Sequence, residues 1–232
     1  MTAPRPLLRR RVPPRAGAAL LLAGLAAASA GAAPAEPGAA DGRRLAAGKT
    51  VVRMAAAPAV EGWAARELAA SAERVARALG DWRHYAEFFP FVARSEAAVE
   101  DGVVVTRQTL DPPGLAPRRQ LVAAAETVAP PPSPGRPRVW RIRWRGLPPE
   151  NAGEHGEWIV TELAPGRARV EVRLAGRLGL PATLERRALE RTLPWVLDGL
   201  AQQVNRCRYD LPVHPTCGEA PAFAAPAQRA PR

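Results

Sequence analysis

Two periods of hydrophobic spacing run along this chain. In its middle, apolar and polar residues alternate. Trp140, Ile142 and Trp144 fall on one side of the stretch Val139–Arg145, and Val139, Arg141, Arg143 and Arg145 on the other. Arg167–Leu174 repeats the pattern, with Ala168, Val170, Val172 and Leu174 opposite Arg167, Arg169, Glu171 and Arg173. A period of two with one polar face predicts antiparallel strands that bury one side and wet the other. Trp158–Leu163 lies between these strands, and Pro165-Gly166 supplies a hairpin turn. Which side of the Trp158 strand faces inward is open at this level. Gly102–Leu110 and Arg118–Val128 read as two further strands around the turn signal Pro112-Pro113-Gly114, and Pro130–Gly135 reads as a surface loop.

Upstream, Thr50–Met54 and Glu61–Leu68 are short strand candidates. Ser71 is placed to cap a helix running to Leu79, with Glu73 in its first turn and Gly80 stopping it. His84–Phe89 then predicts a second short helix ended by Pro90. From Pro181 the period changes to that of a helix. Leu184, Ala188, Leu189, Leu193, Val196, Leu197, Leu200 and Val204 share a face, and Pro194 predicts a kink within it. A helix this long must cover a large apolar surface, and the sheet offers the one available.

Composition matters mainly at the ends. Residues 1–33 read as a cleaved export signal: a basic start with five arginines, an apolar run through Leu20–Leu22 and Leu25, and small residues at Ala28-Ser29-Ala30. Residues 34–48 read as a linker, 49–210 as one domain, and 211–232 as a Pro/Ala-rich disordered tail. The formal charge of +11 falls to about +6 without the signal's arginines. The remaining arginines alternate with acids along strands, the pattern of a solvated sheet face rather than a nucleic-acid surface. Export predicts a disulfide between Cys207 and Cys217. The three histidines, His84, His155 and His214, are far apart, so neither a metal nor another cofactor is expected.

Between Trp82 and Phe91 the chain concentrates a Trp, a Tyr and three of its four Phe residues. This segment, with Ala72-Glu73-Arg74-Val75 before it, resembles the START-like (helix-grip, Bet v 1-like) superfamily. It is most similar to the polyketide cyclase/dehydrase and coenzyme-Q-binding branch. Trp140-Arg141, Gly156-Glu157-Trp158, Pro165-Gly166, Gly179-Leu180-Pro181 and Leu193-Pro194 follow in matching order. The resemblance implies an α+β helix-grip fold: a curved antiparallel sheet wrapped around a long C-terminal helix, with two short helices after the first strand region. It also implies a cavity for a hydrophobic small molecule, such as a lipid, quinone or polyketide.

On that reading the expected ligand-lining residues are Phe88, Phe89, Trp140, Ile142, Trp144, Trp158, Val170, Val172, Leu193, Leu197 and Leu200. The leading expectation is an exported, non-enzymatic carrier that contacts a membrane surface to exchange its cargo. An enzyme of the cyclase/dehydratase type would instead need His155, near Glu154 and Glu157, or Tyr85 as its acid or base, with His84 a further donor. A third reading is an envelope protein with a filled core. No Ser-His-Asp set, phosphate-cradling glycine loop or carboxylate pair at a recognisable spacing occurs.

Overall fold

The computed structural model describes residues 38–55, 60–111, 118–131, 135–149, 151–176 and 181–209. The expected signal, the tail with Cys217 and His214, and the Pro112-Pro113-Gly114 turn lie outside these residues.

Eight strands form one antiparallel sheet: β1 Val51–Met54, β2 Glu61–Leu68, β3 Val92–Glu100, β4 Val103–Leu110, β5 Arg119–Val128, β6 Val139–Gly146, β7 His155–Ala164 and β8 Arg167–Ala175. Their spatial order is β1-β2-β8-β7-β6-β5-β4-β3, so the first two strands close against the last and leave β1 and β3 as edges. The register fixes which side chains share a face. Trp158 lies opposite Ile142 and Val172, so Trp158 and Val160 point inward with Trp140, Ile142, Val170 and Val172. All of these are core residues. The inward face is concave, and the fold is helix-grip.

Among the described residues five helical elements accompany the sheet, the last of them the 3-10 turn Cys207–Tyr209. Helix α1 (Ala39–Ala46) precedes β1, and α2 (Ala72–Gly80) follows β2. Ser71 caps α2 by accepting a hydrogen bond from the Arg74 backbone N–H at 3.3 Å. The expected second short helix is a 3-10 segment, η1, at Trp82–Glu87, and Phe88 and Phe89 follow it. Helix α3 (Ala182–Gln203) begins after Pro181 and sends Leu193, Val196, Leu197 and Leu200 into the core. Full burial of such side chains stabilises by roughly 1.5–3 kcal/mol each. A Cβ at Gly199 would meet the Phe88 carbonyl oxygen at 1.9 Å, so the missing side chain is what lets α3 seat on the η1 segment.

Three expectations are corrected. Residues 34–48 are not a bare linker, because α1 lies within them. Leu45 packs with Val51, Trp63 and Ala65 into a small second core on the convex face. Arg53 pairs with Asp41 and lies over the Trp63 ring, tying α1 to that face. Second, Val92–Glu100 is a strand that the pattern did not reveal. As an edge strand it buries little, and only Val92 falls below the level of the core. Third, Leu184 is 48% exposed rather than on the buried face of α3, because that face begins one residue later, at the buried Glu185.

The end of α3 is stapled to η1. Gln203 donates to the Tyr209 hydroxyl at 3.1 Å, and Tyr209 donates to Asp81 at 3.1 Å. Asp81 also contacts His84 Nδ1 at 2.7 Å, while Arg206 and Arg208 both reach Glu87. Cys207 opens the closing turn, Cys207–Tyr209.

Candidate functional site

The concave face is covered unevenly. The α3 backbone runs close to β1 and β2, and that of α2 close to β6, β7 and β8. Beside them, η1 lies along the edge strand β3, where Ser95 Oγ donates to the Trp82 carbonyl at 2.5 Å. Towards the strand ends at Met54, Gly146, His155 and Ala175, inward side chains become only partly buried: Met54, Phe91, Trp144, Leu174 and, from α3, Leu189. The antiparallel order places the β1–β2, β4–β5 and β6–β7 connections and the β8–α3 connection at this one end. Among the described residues, this end leaves inward apolar side chains partly uncovered, a mouth to the concave side.

An aromatic wall separates this mouth from the closed interior. Phe88 and Phe89 have ring centroids 4.3 Å apart, Tyr85 meets Phe89 at 4.6 Å, and Phe89 stacks on Trp158 at 5.9 Å. Trp144 sits at the open edge of the wall, 6.3 Å from Trp158 and 6.4 Å from Trp82. Its indole lies against Gly156, where an added Cβ would fall 2.0 Å from the ring, so this glycine makes room for the Trp144 ring.

The expected lining residues separate into groups. Trp144 is at the mouth. Ile142, Trp158, Val170, Val172, Leu197 and Leu200 form the buried floor, and Phe88 and Phe89 form the wall. Leu193 covers Gly62, where an added Cβ would lie 3.3 Å from Leu193 Cδ1 and 3.4 Å from Met54 Sδ. Trp140 lies elsewhere, at the α2 end, bordering a groove of about 560 Å³ with Glu73, Arg77, Asp81 and Thr127.

Both acid–base candidates are engaged by backbone carbonyls. His155 is exposed on the convex side, its Nδ1 3.1 Å from the Gly153 carbonyl. Register explains this: His155 and Glu157 alternate with the inward Gly156 and Trp158. Tyr85 is buried in the wall and donates its hydroxyl to the Leu79 carbonyl at 2.5 Å. Burial, with the nearby Asp81 charge, pushes its phenol well above the usual range, so it stays a protonated structural donor. His84 is engaged by Asp81.

The convex face consumes its charges internally. Glu157 accepts from Arg143 at 2.8 Å and Arg141 at 3.0 Å; Glu67 accepts from Arg167 at 2.7 Å and Arg169 at 2.9 Å. Burial alone would raise both carboxyls, but these hydrogen bonds outweigh it and hold them below the usual range.

Sequence reading missed the polar residues of the concave face. Gln108 lies opposite Leu121 and Ser95, on the side of β4 that carries Val104 and Leu110 into the core. Thr106 shares that side, and Arg119, at the start of β5, is held by Glu154. The alternation of β4 carries the signal, but its inward residues are half polar, so its hydrophobic pattern alone did not distinguish the faces.

The sequence model of the polyketide cyclase/dehydrase and lipid transport family matches residues 46–206. The chain belongs to this family. No protein of curated function matches it in sequence. Its fold resembles the lipid transfer and protein localization domain of human StarD13, at 10% identity and a TM-score of 0.55, over 67% of this chain and 84% of that one. A STAR-related lipid transfer protein from Xanthomonas axonopodis aligns at 19% identity and 0.53, over 67% and 92%. The Zhui aromatase/cyclase of a Streptomyces species aligns at 21% identity and 0.49, over 69% and 97%, too low a score to add to the fold argument. The family so described makes the chain a START-like hydrophobic-ligand-binding domain.

Proposed function

We propose that this protein is an exported carrier that holds a hydrophobic small molecule between the sheet and α3. The observation that carries this reading is the mouth, where Met54, Trp144, Leu174 and Leu189 point inward yet remain partly exposed. Apolar area of this kind gains about 25 cal/mol per Å² when a ligand covers it. The named lipid transfer proteins of the same fold support a carrier over a filled core. A cyclase or dehydratase requires acid and base groups converging on the ligand, and His155 and Tyr85 are spent elsewhere.

The signal-like sequence pattern of residues 1–33 supports the export part of the proposal. Export would put Cys207 and Cys217 under oxidising conditions, where a bridge would pin the end of α3 to the tail. Cargo exchange at a membrane surface fits the outward side of α3. There Leu184 and Trp195 are 48% and 49% exposed, with Arg187 and Arg191 between them on the same side.

The test compares two substitutions. Trp144→Arg introduces a charge at the mouth and is expected to abolish uptake of Nile red and of lipids, while His155→Ala leaves uptake unchanged. Loss of a catalysed reaction in His155→Ala with uptake intact in Trp144→Arg would sink the carrier in favour of the enzyme.

A further inference from the structure

We infer that the ligand carries a neutral hydrogen-bonding group, a hydroxyl or carbonyl, that docks on Gln108; this rests on the carrier reading above. Gln108 is 5% exposed and its strand neighbours on the same side, Val104 and Leu110, enter the core. Among the described residues its amide makes no hydrogen bond, whereas Gln120, on the opposite face, is paired with Thr109. The residue is largely covered, yet its amide atoms reach open space, where a primary amide offers two donors and an acceptor to an occupant. Among the described residues no helix backbone packs closely on β4 and β5, so the concave side beside Gln108 is open to an occupant.

The charges on that side argue for a neutral group. On the inward face of β3 to β6 the charged residue is Arg119, which both carboxylate oxygens of Glu154 engage. Across the concave side, Arg66 is paired with Asp198. Among the described residues, a carboxylate or phosphate beside Gln108 would therefore meet no free counter-ion, and a buried unpaired ion is strongly disfavoured. A hydroxyl can donate to Oε1 and accept from Nε2, and a carbonyl can accept from Nε2. Thr106, one step along the strand face, donates its hydroxyl to the Ala123 carbonyl at 3.5 Å and is neutral as well.

The test uses the purified chain loaded with Nile red, displaced by matched pairs at neutral pH: 1-hexadecanol against hexadecanoate, and cholesterol against cholesteryl hemisuccinate. The neutral member of at least one pair is expected to bind about tenfold or more tighter than its anion. Gln108→Leu is expected to weaken that neutral ligand by about five- to tenfold, the worth of one hydrogen bond. It should leave the thermal midpoint intact, and because Nile red itself carries a carbonyl, its affinity for each variant is titrated directly and the displacement constants are corrected for it. Anions binding as well as neutrals, neutral affinity unchanged in Gln108→Leu, or Nile red displaced by none of the four would overturn the inference and leave the carrier standing. Failure of the chain to bind Nile red or any of the four compounds would overturn both.

Discussion

Gly199→Ala puts a single methyl where α3 meets the η1 segment. The added Cβ would lie 1.9 Å from the Phe88 carbonyl oxygen and 3.0 Å from its carbonyl carbon. Ordinary contact needs more than an ångström of separation beyond that. The Phe88 backbone has little freedom to retreat, since its ring is 1% exposed and packed against Tyr85 and Phe89. Overpacking of a core costs roughly 1–3 kcal/mol, and an obstacle made of backbone belongs at the upper end. Alanine's better helix propensity returns about 1 kcal/mol. The net is a loss of about 2 kcal/mol, or about 4–8 °C in Tm for a domain of this size. Circular dichroism melts of the two proteins read it directly. The sign decides the matter: a rise of a few degrees, which propensity alone predicts, would show that α3 does not rest on Phe88.

Two further predictions concern pH and membranes. Glu67 and Glu157 hold protons more weakly folded than unfolded, so their stabilisation is present above the unfolded value of 4.5 and fades as pH falls below it. Tyr85 and Tyr209 are raised, Tyr209 to about 12, chiefly by burial, so stability is lost as pH climbs past 10. Urea midpoints followed across both limbs should decline at each end, and a flat alkaline limb would contradict the buried tyrosines. On vesicles rich in phosphatidylglycerol, Arg187→Gln and Arg191→Gln should each weaken sedimentation binding by about fivefold, about 1 kcal/mol per arginine. Trp195→Ala should weaken it further. Equal binding by all variants would remove α3 as the docking side.

The parts of the fold that alternate cleanly could be read from sequence, and those with unusual burial could not. β6 and β8 bury one face and wet the other, so Trp140, Ile142, Val170 and Val172 announced themselves. β2 is buried on both faces because α1 covers the second one, which hides its period and the role of Trp63. β3 hides for the opposite reason, having too little burial to pattern. The site followed the same rule. The aromatic wall and Trp144 were legible as a cluster of large apolar residues, whereas Gln108 was not, because an inward polar group looks like any other polar residue until register assigns its face. His155 drew notice through its acidic neighbours, of which Glu157 belongs to the convex surface and Glu154 holds the inward Arg119.

The account stands or falls on whether the concave side holds a molecule. Native mass spectrometry of residues 34–232, followed by organic extraction and challenge with a lipid, quinone and sterol panel, measures this most directly. The carrier reading predicts a retained mass, or a defined one-to-one shift with a neutral apolar compound, that disappears in Trp144→Arg. A clean mass that no member of the panel shifts would contradict it and leave a filled core or a catalyst in its place.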